Sequence, residues 1–171
     1  MATTIVLITG ANRGIGKGFV ETYLAKPNHI VVAAVRNLDT AGALAQIPSA
    51  KDSRVIVVKL DATIESDAAE AVKELSAQHA IDHLDIVIAN AGVADIFPTV
   101  ADLKIDDMLA SMRPNVFGVI WLYQATRDLL NSKAAVNPKW VTIGSIAGSI
   151  GVTSIYVLEL KTKKANGLFV L

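Results

Sequence analysis

The chemistry legible in this chain begins at a turn. Thr9-Gly10-Ala11-Asn12-Arg13-Gly14-Ile15-Gly16 spaces three glycines so that the backbone can reverse tightly and approach an anion with no Cβ in the way. If a helix starts there, its unpaired N–H groups and the positive end of its dipole face the same anion, which makes a diphosphate the matching ligand. The competing explanation is three glycines in an ordinary turn. Context separates the two, because a buried strand must precede the turn and an amphipathic helix must follow it. Arg36 is the next candidate, at the end of an apolar run where a dinucleotide fold meets the adenosine ribose. A carboxylate there would accept from a 2′-hydroxyl and repel a 2′-phosphate, but the sequence reads Val35-Arg36, and Arg13 offers a second guanidinium. A hydrogen bond to a charged group contributes roughly 1.5–3 kcal/mol, enough to favour NADP over NAD by about ten- to a hundredfold. Either arginine taken singly is equally well read as a solvated surface charge.

These residues need elements to position them. Apolar runs rich in Val and Ile recur at Ile5 to Ile8, Ile30 to Val35, Val55 to Leu60, Leu84 to Ala89 and Trp140 to Ile143. They lack in/out alternation, as expected of strands covered on both faces of a parallel sheet. From Gly14 the positions Ile15, Phe19, Val20, Tyr23 and Leu24 repeat with helical period and stop at Pro27. A second helix is predicted from Ser66, read as its N-cap, through Ala68, Val72 and Leu75 to about His79. The gap before the last strand fits two helices, one ending near Met112 and one from Pro114 to about Leu130. The latter is apolar almost all round at Val116 to Tyr123, so it should be buried or face a partner subunit. Such alternation predicts right-handed βαβ units and an α/β fold: a doubly wound parallel sheet of Rossmann type in three α/β/α layers. Ligands then belong at the carboxyl ends of the strands, where strand order reverses. Residues 1–158 read as the dinucleotide-binding domain, and residues 159–171 as an atypical tail carrying Lys161, Lys163 and Lys164 without helix or strand period.

Composition removes whole classes of function. At 171 residues one domain is expected, and 52% hydrophobic residues with a mean hydropathy of +0.45 exclude a disordered chain. Sixteen basic against sixteen acidic residues leave no net field, so neither nucleic acid nor a membrane surface is an expected partner. The start Met1-Ala2-Thr3-Thr4 lacks the basic region of a signal peptide, and no apolar stretch reaches about 18 residues, so a soluble cytoplasmic protein is expected. With no Cys, and His29, His79 and His83 scattered, no metal site is expected.

In their order and spacing these motifs resemble the short-chain dehydrogenase/reductase family over about residues 4 to 150. Thr9-Gly10-x-x-x-Gly14-x-Gly16 is similar to the family's cofactor loop, Asp61 in Leu60-Asp61-Ala62-Thr63 to its adenine-contacting Asp, and Asn90-Ala91-Gly92 to the motif closing its fourth strand. Asn115-Val116-x-Gly118 is similar to the catalytic Asn segment, and Ile143-Gly144-Ser145 to the strand end that presents the catalytic Ser. Within the family, Leu84-Asp85-Ile86-Val87-Ile88-Ala89-Asn90-Ala91-Gly92 resembles the fungal ketoreductases of the norsolorinic acid reductase type. The resemblance implies NADP held by Gly10, Asn12, Arg13, Gly14, Ile15, Gly16, Arg36, Asp61, Asn90, Ala91 and Gly92, with Asn115 and Ser145 catalytic. It further implies hydride transfer between NADPH and a small ketone or aldehyde, of polyketide or aromatic type, while the apolar character of the 116–130 helix makes that helix the expected seam of a homo-oligomer. Each residue also has a plainer role: Asp61 can cap the following turn, Asn90 can satisfy backbone between strands, Asn115 can start a helix, and Ser145 can be a loop hydroxyl.

One part of the family pattern is altered. In the family a Tyr supplies the proton and a nearby Lys stabilises its phenolate, because a free Tyr, with a pKa of about 10, is a poor acid-base catalyst at neutral pH. The family spacing is Tyr-x-x-x-Lys, whereas Tyr156 here is followed by Lys161. Five residues along a helix turn two side chains about 140° apart, while four keep them on one face. Tyr156 also lies in the apolar segment Thr153-Ser154-Ile155-Tyr156-Val157-Leu158, where packing is the competing role. Family members are longer, so this chain is expected to lack the last strands of the family fold, as a shortened or altered gene product. Two functions remain open: an NADP-dependent reductase, and a catalytically impaired NADP-binding remnant or dimerisation subunit.

Overall fold

The apolar runs form a five-stranded parallel sheet in the computed structural model, which describes residues 3–94 and 98–145. Its strands are β1 (Thr4–Thr9), β2 (His29–Val35), β3 (Arg54–Lys59), β4 (Ile86–Ala89) and β5 (Lys139–Thr142), in the spatial order β3-β2-β1-β4-β5. β1 pairs with β2 from Thr4 opposite His29 to Thr9 opposite Ala34, and with β4 from Val6 opposite Ile86 to Ile8 opposite Ile88. Strand order reverses between β1 and β4, so the carboxyl ends of these two strands flank the crevice in which open α/β sheets bind ligands.

Both faces of the sheet are covered, which is why its strands read as unbroken apolar runs. Ile5 and Leu7 of β1 share one core with Ala68, Ala71 and Leu75 of helix α2 (Glu65–His79) and Leu122 and Leu130 of helix α4 (Gly118–Leu130). Val6 and Ile8 point the other way, into a core with Val20 and Leu24 of helix α1 (Gly14–Leu24). At the amino edge of the sheet the buried carboxylate of Asp85 accepts from the backbone N–H of Ile5 (2.8 Å) and of Val136 (2.6 Å). No helix among the described residues is long and apolar enough to cross a membrane.

Two expectations about the elements are corrected. The region before β5 holds the two expected helices, α3 (Ile105–Met112) and α4, but α4 starts at Gly118 and not at Pro114, and a π turn (Arg113–Phe117) joins the two without a break. Pro114 lacks the N–H that an α-helix would need there, and the wider turn absorbs the interruption instead of starting a new helix. Helix α2 is not capped by Ser66; Ile64 is its N-cap and contributes no side-chain bond, because the preceding loop is organised by Asp61. The apolar surface of α4 is only half covered. Leu122, Thr126 and Leu130 are buried, while Ile120 and Tyr123, and Val116 in the π turn just before them, remain 48%, 49% and 42% exposed. Gly118 seats the start of α4 against Ala62, whose carbonyl oxygen a Cβ at this position would overlap.

Candidate functional site

The buried strand and the amphipathic helix that the glycine turn requires are both present, as β1 and α1. Gly10 and Gly14 take positive φ values of 64° and 53°, which reverse the chain between them. Gly16 is buried, and a Cβ on it would overlap the Gly10 carbonyl oxygen and come within 2.6 Å of Asn90 Nδ2. The N-cap of α1 is Arg13, in extended conformation and with no side-chain bond to the helix, and the first helical turn holds no acidic residue. The positive end of the dipole therefore meets no carboxylate of its own helix, which suits an incoming anion. Ile15, 62% exposed, stands at the rim.

The floor beside this turn is a polar knot between β1 and β4. Thr9 Oγ1 accepts from the N–H of Asn90 and of Ala91, both at 3.0 Å, and Asn90 Nδ2 donates to the carbonyl oxygens of Thr9 at 2.9 Å and Gly10 at 3.4 Å. Asn90 thus fills the backbone-satisfying role that sequence left open, directly under the turn. Thr9 was not singled out from sequence. Its signal is a hydroxyl closing an otherwise apolar strand, where a buried donor-acceptor must find partners.

On the β2 side, Arg36 follows the strand and is exposed, as is Arg13. Ion pairs among the described residues engage neither. Asn12 Nδ2 donates to Thr40 Oγ1 at 3.2 Å, and Thr40 Oγ1 donates to the Asn37 carbonyl at 2.8 Å, so the loop after Arg36 is tied to the glycine turn. On the β3 side, Asp61 Oδ1 accepts from Thr63 N–H at 2.9 Å and Thr63 Oγ1 at 2.8 Å, which is the turn-capping role. The Asp61 N–H donates to Asp67 Oδ2 at 2.7 Å, and Lys59 Nζ lies 2.7 Å from the same oxygen. The hydrogen bond to Asp67 raises the Lys59 ammonium above its ordinary pKa; desolvation works against that, while the negative charges of Asp67, Asp61 and Glu70 add to it.

Asn115 sits in the π turn with its side chain fully engaged: Nδ2 donates to the Val93 carbonyl and Oδ1 accepts from the Val93 N–H, both at 2.8 Å. It therefore braces the loop that leaves Asn90-Ala91-Gly92. Ser145 lies three residues beyond β5, and Ile143 N–H bonds the Ala89 carbonyl at 2.9 Å, so the chain still runs beside β4 as it nears Ser145. Tyr156, Lys161 and the tail 159–171 lie outside the described residues. The glycine turn, the Asn90–Gly92 floor and Asn115 are brought into contact, with Ser145 at the same edge of the sheet. Among the described residues no group of His, Asp and Glu could hold a metal ion.

Comparison with known proteins follows the same boundaries. The family model for short chain dehydrogenase matches residues 4–157. A norsolorinic acid ketoreductase of Dothistroma septosporum is 44% identical over 148 residues, which is 86% of this chain and 55% of that protein. Its counterpart in Emericella nidulans is 39% identical over 148 residues, 86% of this chain and 56% of that one. The solved structure of NADPH-bound carbonyl reductase from chicken fatty liver is similar with a TM-score of 0.73 at 25% identity, over 92% of this chain and 65% of its own. The chain spans about half the length of the curated relatives it matches.

Proposed function

The chain belongs to the short-chain dehydrogenase family, and from that premise we propose that it is an NADP-dependent oxidoreductase acting on a ketone or aldehyde, of polyketide or aromatic kind, a reading supported by relatives named norsolorinic acid ketoreductase. The observation that carries the reading is the Gly10–Gly16 turn, where Gly16 leaves no room for a side chain and the acid-free amino end of α1 is free for a diphosphate. Arg13 and Arg36, both exposed beside it, would take the 2′-phosphate. The NADPH in the chicken carbonyl reductase supports the same choice. Bound NADPH supplies the hydride. In this proposal Ser145 donates to the substrate oxygen and Tyr156 passes it the proton, and the five-residue spacing to Lys161 predicts a weaker stabilisation of the phenolate than the family's Tyr-x-x-x-Lys gives. Asn115 acts by bracing Val93, and with it the Asn90–Gly92 floor that would hold the cofactor.

NADPH titrated into the protein should quench the fluorescence of Trp121 or Trp140 and raise the melting temperature. Arg36→Asp should weaken NADPH about ten- to a hundredfold while NADH binding holds or improves. An unchanged NADPH/NADH ratio would refute the assignment of Arg36. A second reading, an NADP-holding subunit that pairs through α4, is favoured by the exposed Val116, Ile120 and Tyr123 together with the altered Tyr156/Lys161 spacing. NADPH binding without turnover of a ketone panel above a Ser145→Ala control would select it.

A further inference from the structure

Thr40 lies where the glycine turn meets the loop after β2. Its hydroxyl oxygen accepts from Asn12 Nδ2 at 3.2 Å and donates to the Asn37 carbonyl at 2.8 Å. Those two partners are the chain neighbours of Arg13 and Arg36, so the hydroxyl touches the residue beside each arginine. Both arginines are exposed, and ion pairs among the described residues engage neither. Thr40 is exposed too, at the end of a run from Arg36 in which every residue is exposed. The 3₁₀ turn Leu38–Thr40 buries none of its residues, and a segment so thinly packed opens at little cost. Its hydroxyl is therefore accessible to an enzyme that must draw it into an active site of its own.

A phosphate on this hydroxyl carries a charge of about −1.5 to −2 near neutral pH and three strong acceptor oxygens. The covalent bond fixes where the charge lies: on the atom that bridges the glycine turn and the loop carrying Arg36. Arginine pairs with phosphate through two parallel hydrogen bonds, so the modified side chain competes for the two guanidiniums given above to the 2′-phosphate. It also repels any incoming phosphate. A dinucleotide without a 2′-phosphate feels the repulsion but has no claim on those arginines, so NADPH and NADH respond unequally.

We propose that Thr40 is a phosphorylation site whose phosphate occupies Arg13 and Arg36 and so switches off the preference for NADPH. A protein kinase transfers the γ-phosphoryl group of ATP: its bond to the β-phosphate oxygen breaks, a bond to Thr40 Oγ1 forms, and ADP and the hydroxyl proton leave. The proposal rests on the dinucleotide reading above. It is tested on the full chain with phosphothreonine installed at position 40 during translation, by measuring the dissociation constants of NADPH and NADH through tryptophan fluorescence. The phosphate should weaken NADPH more than about tenfold and cut the NADPH/NADH preference by about tenfold. Thr40→Val removes both bonds of the hydroxyl without adding charge, and should change the preference by no more than about twofold. If the phosphorylated chain shows no cooperative melting, Thr40→Glu takes its place, with a fall in preference of about threefold expected. An equal fall in Thr40→Val would make the hydroxyl a structural clasp, and a preference unmoved by the phosphate would leave the arginines out of its reach; either result overturns the proposal while sparing the cofactor reading. In the chain isolated from its own cells, mass spectrometry of the tryptic peptide from Asn37 to Lys51 should find phosphate on Thr40, and finding only the unmodified peptide overturns the site. Failure of the unmodified chain to bind NADPH removes the cofactor reading, and this proposal with it.

Discussion

β1 and β4 are tied together twice, at opposite ends and by opposite chemistry. At the amino end a buried carboxylate, Asp85, accepts from Ile5 N–H and reaches on to Val136 N–H before β5. At the carboxyl end the tie is neutral: the Thr9 hydroxyl and the Asn90 amide exchange bonds with each other's backbone. Charge-assisted bonds are the stronger, so the carboxylate would be the better fastener at either end if stability were all that mattered. At the end proposed to face a diphosphate, however, a fixed negative charge beside Gly10 and Gly16 would oppose such a ligand. The amino end has no such constraint. Its cluster even adds His83, whose Nε2 is 3.7 Å from Asp85 Oδ2 and whose Nδ1 is 2.7 Å from Asp82. The difference teaches that between β1 and β4 charge ties the amino end, and neutral groups tie the end at which the diphosphate is proposed to bind.

The largest effect should come from Asp85→Ala. It leaves two backbone N–H groups without their charged acceptor, at a cost of roughly 3–5 kcal/mol of unfolding free energy in urea denaturation. NADPH affinity of the folded fraction should stay within about twofold, since the lesion lies at the far end of the strands. A loss of affinity as large as the loss of stability would break the division between the two ends. Next in size is Asn90→Asp, which exchanges the neutral tie for a charged one. The donor to the Thr9 carbonyl is lost and a negative charge appears under the diphosphate. NADPH should weaken at least about tenfold, about 1.4 kcal/mol, with a larger fractional loss at low salt than at high salt. If binding proves indifferent to that charge, the neutrality of the carboxyl-end tie has no bearing on the ligand.

Much of this was legible in sequence because it depends on local signals. The five apolar runs found their strands, and the glycine spacing found its turn, because steric demands on Gly10 and Gly16 are met by no other residue type. The fourth strand proved shorter than its apolar run, beginning at Ile86, because Leu84 and Asp85 are spent on joining α4 and β1. Partners distant in sequence were not legible. Nothing in the spacing says that Asn115 bonds Val93, that Asp67 reaches back to Asp61, or that Thr9 takes the N–H groups of Asn90 and Ala91; such pairs exist only once the sheet order is fixed. The π turn escaped for a related reason, since Pro114 reads equally as a helix start or as an interruption inside one.

The smallest effect is also the most selective, because it titrates one end of the strands and not the other. The hydrogen bond from His83 holds the Asp82 carboxyl below its ordinary pKa; desolvation opposes it, while the positive charge of the imidazolium and the bond to its own backbone add to it. A carboxyl whose folded pKa is depressed contributes stability that is present above its unfolded value, about 3.9, and is lost as pH falls through the folded value. Melting temperature should therefore fall on the acid side below about pH 4. Asp82→Asn should flatten part of that fall and leave the plateau near neutrality nearly unchanged. The shift should amount to no more than about 2 °C and shrink with added salt, since Asp82 is exposed and its pair is screened. Thr9 and Asn90 carry no titrating group, so the carboxyl-end tie contributes nothing to this limb. An acid limb identical in wild type and Asp82→Asn would show that the charged cluster at the amino end, despite its short contacts, contributes stability no differently from the neutral knot opposite it.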